Sequence, residues 1–167
     1  LAVTMKAEQL YLWAASAFVT KALLVPFVLA RAEKNMEGQP PANAKPWPSI
    51  ALAAISLIVS FIVIDKLQLK IANEFKPALA VSIAHFFFGQ LCILTQKNML
   101  KQVLGFCLME NGSHLTLALM AYNAPELVEV GIATDAVFGV IIMVILLVQI
   151  NKSLHTLDVT ELKSLKG

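Results

Sequence analysis

Charge is what this 167-residue chain has least of: Asp, Glu, Lys and Arg make up 14% of it, against 58% hydrophobic residues. Soluble domains carry about 25% charged residues, so a water-soluble globule is excluded. The formal net charge is only +2, and the Lys and Arg are scattered, which excludes a nucleic-acid-binding surface. Cysteine is nearly absent as well. Cys92 and Cys107 lie in separate apolar runs without CxxC spacing, which removes a disulfide framework and an iron–sulfur or zinc cluster of the chain's own. The seven glycines follow no collagen period, there is no Gly-rich phosphate loop, and no nucleophile is spaced to a base. A catalytic or redox centre, if the activity has one, belongs to a partner.

What the chain does have is long apolar runs. Taking about 17–25 mostly apolar residues as one crossing of a bilayer, five candidates stand out: Leu10 to Ala30, Trp47 to Ile64, Pro77 to Thr95, Gln102 to Tyr122 and Glu129 to Ile150. All are too long for strands, and open sheet edges cannot sit in lipid. The expected fold is therefore all-α, a polytopic transmembrane helix bundle over residues 1–150, followed by a polar tail over 151–167. The first residues lack the basic start and small-residue cleavage site of a signal peptide. They read as the interior of a longer protein, with some N-terminal sequence expected ahead of Leu1.

Short loops allow orientation to be read from Lys and Arg. Arg31, Lys34, Lys45, Lys97, Lys101, Lys152, Lys163 and Lys166 fall on one side, against Lys6, Lys66, Lys70 and Lys76 on the other, which places the C-terminus in the cytoplasm. In the tail, Asp158 and Glu161 have the spacing of a capping box, with Leu162 and Leu165 following. That pattern predicts a short amphipathic helix. Glu126 and Glu129, at the opposite boundary, read as caps of a helix start.

The informative residues are ionisable groups inside the apolar runs, because a charge at the bilayer centre costs about 2.5–3.5 kcal/mol or more and demands a partner or a water path. There are five: Lys21, His85, Glu110, His114 and Asp135. Lys21 lies roughly 15 Å from either end of its helix, beyond full snorkelling, and Pro26 follows one turn later, where it can free backbone carbonyls. Glu110 and His114 are four residues apart, on one helix face with Cys107 and Ser113 close by. An acid and an imidazole one turn apart suit proton transfer, and a metal would lack a third ligand. Gly131 and Gly139 flank Asp135 at four residues on each side, a narrow face that predicts close helix approach and a buried carboxyl. His85 shares a small, polar stripe with Ser82 and Gly89, and by itself it also fits a packing role. Aligned across a bundle, the five form a lateral axis of acids and bases near mid-membrane. The competing reading treats them as fixed ion pairs that hold helices in register.

From Thr95 onward the residues resemble a known family. Gln96-Lys97-Asn98-Met99-Leu100, then Leu104 through Ser113, then Asp135-Ala136-Val137-Phe138-Gly139 and the Leu-Asp-Val tail are similar to the small K-type membrane subunit of respiratory complex I and its antiporter relatives. Cys107 to His114, Ala124 to Asp135, and Trp13 to Lys21 bring the chain closer still to the hydrogenase-4 component E family of formate-hydrogenlyase-type complexes. The resemblance implies a subunit of an energy-converting complex in the bacterial inner membrane. Other complex-I-like membrane subunits and a soluble arm, with the nickel–iron centre and iron–sulfur clusters, are its implied partners. It also implies a proton path in which one carboxylate from each of two neighbouring helices takes part. Asp135 stands at the second of these positions, while Cys107 occupies the first, with Glu110 three residues on. The path expected is Glu110 and Asp135 as relay carboxylates, His114 and His85 as intermediaries, and Lys21 as the charge that tunes them. The alternatives are a structural linker with static pairs, or a small cation antiporter component.

Overall fold

The computed structural model describes residues 9–36, 47–67, 75–121 and 126–164. The loop at residues 37–46, with its three prolines, lies outside the described residues, as do the segment 68–74 and the turn 122–125. Six α-helices follow one another: α1 (Gln9–Ala17), α2 (Val25–Lys34), α3 (Trp47–Lys66), α4 (Lys76–Thr95), α5 (Met99–Met120) and α6 (Glu126–Leu154). A π-helical segment, Phe18–Leu24, joins α1 to α2, so that the three form one rod. Among the described residues, five helices are long and apolar enough to cross a membrane: 14–34, 47–66, 76–95, 99–120 and 137–154. The chain is a polytopic helical bundle, and each of the five apolar runs falls on one of these spans.

The helix starts follow from local chemistry. Pro77 sits in the first turn of α4, a position where a missing N–H costs no helical bond. Asn98 caps α5, its Oδ1 accepting from the amides of Leu100 at 2.8 Å and Lys101 at 3.2 Å.

The tightest packing joins α4 to α5, antiparallel across the short turn at Gln96–Asn98. A Cβ added to Gly112 would lie 2.7 Å from the Ser82 carbonyl and 2.8 Å from the Phe86 Cα. One added to Gly89 would lie 2.6 Å from the Gly105 carbonyl. Only glycine permits this backbone-to-backbone approach, the usual means of association where lipid supplies no hydrophobic drive. Ser82, fully buried, lies 2.9 Å from the Thr116 hydroxyl across the same seam.

Two cores flank this hairpin. Val25, Leu29 and Ala32 of α2 meet Met99 and Val103 of α5, Val140, Val144 and Leu147 of α6, and Leu157 of the tail. On the other side, Ile64 of α3 packs with Leu79 and Ala80 of α4 and Leu119 of α5. α5 thus belongs to both. Along its outer side α3 exposes Ile55, Ile58, Phe61 and Ile62, as suits a lipid-facing helix.

The tail folds back on the bundle. Met99 N–H donates to the Leu157 carbonyl at 3.0 Å and Val159 N–H to the Lys97 carbonyl at 2.9 Å, an antiparallel bridge centred on Asn98 and Asp158. His155 turns the chain with φ 53°, and buried Asn151 donates to the Thr156 carbonyl at 3.1 Å. The spacing read as a capping box closes a different turn. Asp158 Oδ1 accepts from the Thr160 amide at 2.8 Å and hydroxyl at 2.7 Å, and Glu161–Ser164 is a single 3-10 turn. Leu165 and the last two residues lie outside the described residues.

Candidate proton-transfer site

The candidate site forms where the π segment crosses α5. A π-helix carries an extra residue per hydrogen-bonded ring and is common at functional positions. Here Val25 N–H donates to the Thr20 carbonyl, five residues back, and Thr20 Oγ1 donates to the Ser16 carbonyl at 2.8 Å. Pro26 supplies the local cause, since it has no N–H to give the preceding turn. The sequence pointed to freed carbonyls beside Lys21; the structure converts the whole turn, with Lys21 at its middle.

Lys21 is half-buried and aims at α5. Its Nζ is hydrogen-bonded to His114 Nδ1 and lies 4.0 Å from Glu110 Oε2. Lys21, Glu110 and His114, identified separately from the sequence, are thus one cluster. At 4 Å, opposite unit charges attract by roughly 4 kcal/mol at an effective dielectric of about 20. Placing the two charges at mid-bilayer costs about 5–7 kcal/mol, at ~2.5–3.5 kcal/mol each. The contact therefore offsets much of that cost and adds no net stability, as expected of buried pairs.

Beside the cluster is a cavity of about 40 Å³ lined by Thr20, Lys21, Val25, Cys107, Glu110, Asn111 and Val137. It is large enough for water, and its wall is polar enough to hold it. Cys107 and Glu110 open onto the same space, so a carboxylate one turn from the Cys107 position still reaches the cavity. Thr20 and Asn111 were not singled out from sequence, because neither is ionisable and only the packing brings them together.

The other two ionisable residues differ from expectation. Asp135 lies within electrostatic reach of Glu110 and His114. Yet it is exposed, where close helix approach was expected to bury it. The reason lies in α6, which packs through Val140, Val144 and Leu147. A Cβ on Gly139 would be 3.2 Å from the Phe106 ring, whereas one on Gly131 would meet nothing within 4 Å. The narrow face is present and its first half is open. His85 is half-buried on α4, and among the described residues no hydrogen bond or ion pair joins it to the other four. Ser113, placed near the Glu110–His114 face by spacing, is exposed and donates to the Met109 carbonyl at 3.2 Å. It lines an apolar groove with Phe86, Phe87 and Met120 instead. Glu126 opens α6 and Glu129 lies in its first turn, with side chains outside the described residues.

Comparison with known proteins gives this geometry a family. The model of NADH-ubiquinone/plastoquinone oxidoreductase chain 4L matches residues 77–167, which take in α4, α5, α6 and the tail. Hydrogenase-4 component E of Escherichia coli (strain K12) is 51% identical over 163 residues, covering 96% of this chain and 76% of that protein. The same protein of Shigella flexneri matches equally. An uncharacterized protein of Mycobacterium tuberculosis is 24% identical over 152 residues, 87% of this chain and 68% of that one. No solved structure matches. With the match extending over nearly its full length, the chain belongs to the hydrogenase-4 component E family and, through α4–α6, to that of NADH-ubiquinone/plastoquinone oxidoreductase chain 4L.

Proposed function

We propose that the chain is a membrane subunit of a complex-I-like, energy-converting hydrogenase of the formate-hydrogenlyase type, and that it carries part of a proton path. Glu110 and Asp135 are the relay carboxylates, Lys21 is the charge that sets Glu110, and His114 and His85 are the neighbouring bases. The observation that carries this reading is the convergence of His114 and Glu110 on Lys21 within apolar spans, with Lys21 and Glu110 opening onto one small, partly polar cavity. A carboxylate in such a place gains or loses its proton according to what cation stands beside it. The open carboxyl of Asp135 supports a path that continues sideways into a neighbouring subunit. Redox chemistry then belongs to a soluble arm, whose nickel–iron centre and iron–sulfur clusters lie in partner subunits. The chain lies in the bacterial inner membrane, with its tail on the cytoplasmic side.

The deciding experiment is Glu110→Gln in the assembled complex, reconstituted in vesicles. Proton movement is expected to fall at least tenfold while hydrogenase turnover of the soluble arm remains measurable; unchanged proton movement would overturn the reading. The pairing of Lys21 with His114 and Glu110 also ties the first span to α5, which favours a structural linker as the second reading. A linker predicts that Glu110→Gln lowers assembly or does nothing, without uncoupling hydrogenase turnover from proton movement.

A further inference from the structure

The contact between Lys21 Nζ and His114 Nδ1 has room for one proton between the two nitrogens. An ammonium can only donate, so a charged Lys21 requires Nδ1 bare and places the ring proton on Nε2. Glu110 Oε2 faces the same Nζ at 4.0 Å, so the charge it meets sits on Lys21. His114 and Glu110 are one turn apart on α5 and compete for that one ammonium. Lys21 itself comes from the π segment, outside the region matched by the chain 4L family, and reaches into the matched helices.

Resting on the proton-path reading, we propose that His114 is a positioning residue whose bare Nδ1 holds Lys21 off Glu110, and not a carrier in the path. With Nδ1 bare, Lys21 is docked on the imidazole and Glu110 is free to take up a proton. A proton arriving on Nδ1 abolishes the acceptor and repels the ammonium, which moves onto Glu110 and locks it as a carboxylate. The bonds made and broken are N–H at His114 and O–H at Glu110, and a proton held by Glu110 leaves to water as the ammonium arrives. Lys21 keeps its proton throughout, and the proton on His114 exchanges with water. The charged groups acting on His114 are Lys21 from the π segment and Asp135 from α6. Glu110 shares its helix face, and Cys107 lies one turn before Glu110 and lines the adjoining cavity. Among the described residues, no charged group of α4 acts on it.

The test uses the whole complex in vesicles and compares two substitutions. In His114→Asn, the amide oxygen takes the place of Nδ1 and accepts from Lys21 but cannot be protonated. In His114→Leu, nothing accepts. We expect His114→Asn to keep at least half of wild-type proton movement and to lose the inflection at the acid limb of its pH profile. His114→Leu should fall at least tenfold across the whole profile, with hydrogenase turnover of the soluble arm showing that the complex is assembled. Abolition of proton movement by His114→Asn in an assembled complex would overturn the proposal, because it would make the imidazole an obligatory carrier. A second readout does not depend on proton movement: the histidine-labelled infrared difference spectrum, wild type minus His114→Asn, should report a neutral Nε2–H ring at neutral pH. A ring protonated at Nδ1 there would also overturn it. Loss of the effect of Glu110→Gln, by contrast, removes the proton-path reading and leaves the tautomer measurement standing.

Discussion

At the scale of single residues, the site is a competition for one ammonium. Lys21 stands between an acceptor nitrogen and a carboxylate. Removing it by Lys21→Met takes the cation from Glu110 without changing the bulk of the side chain much. We expect Lys21→Met to shift the pH dependence of proton movement by about one pH unit, equivalent to the ~1.4 kcal/mol of one pKa unit, measured in reconstituted vesicles; an unmoved profile would separate Lys21 from the path. The sequence revealed the three clustered residues because charge in an apolar run is conspicuous whatever the fold. It could not reveal Thr20 or Asn111, whose types are ordinary in any helix. Nor could it settle the exposure of Asp135, because Gly131 and Gly139 record that a close approach is possible, not that a helix of this chain makes one.

At the scale of elements, the hairpin of α4 and α5 depends on two glycine contacts. Gly112→Val would drive a branched side chain into the Ser82 carbonyl and the Phe86 backbone. Overpacking of this kind costs about 1–3 kcal/mol, and the thermal midpoint of the solubilised protein should fall accordingly. Gly131→Ala, facing open space, is expected to leave the midpoint of the chain by itself within about 0.5 kcal/mol of wild type. The tail bridge responds to acid. Hydrogen bonds from the Thr160 hydroxyl and amide hold the exposed Asp158 carboxyl below the usual carboxylate range. A depressed carboxylate contributes in full above its unfolded pKa, and the contribution is lost as pH falls through the lower folded value. Asp158→Ala should therefore speed amide exchange at Val159 and Thr160 at neutral pH, and match wild type only in acid below the ordinary carboxylate range. The bridge was illegible in the sequence because its bonds run from backbone to backbone. Of the π segment only Pro26 was a hint in the sequence, since a mostly apolar run shows no change of period when one turn widens.

At the scale of the whole molecule, the five crossings were legible because length and hydropathy alone define them. Orientation was read from basic residues, and it is testable by substituted-cysteine labelling. With Cys92 and Cys107 replaced, a cysteine at Lys97 is expected to react with an impermeant maleimide from the cytoplasmic side, and one at Lys66 from the opposite side. The reversed pattern would place the tail outside. Among the described residues, the open faces include the outer side of α3 and the Gly131–Asp135 side of α6, and these two differ in chemistry. The first is wholly apolar and suits acyl chains. The second carries a carboxyl, which lipid does not tolerate without cost.

The tail bridge also fixes an order of events. Lys97 and Met99 emerge from the ribosome some 60 residues ahead of the segment that pairs with them, Leu157 to Val159. Synthesis at roughly 5–20 residues per second leaves the α4–α5 turn unlatched for several seconds. For that interval the hairpin is held by its glycine seam alone, and α6 inserts beside a partner whose end is still free to splay. The latch closes last, and only when α6 has crossed far enough to bring Leu157 back to Met99. A chain whose α6 stalls or inserts in the wrong direction is left unlatched, with the Met99 and Val159 amides unpaired.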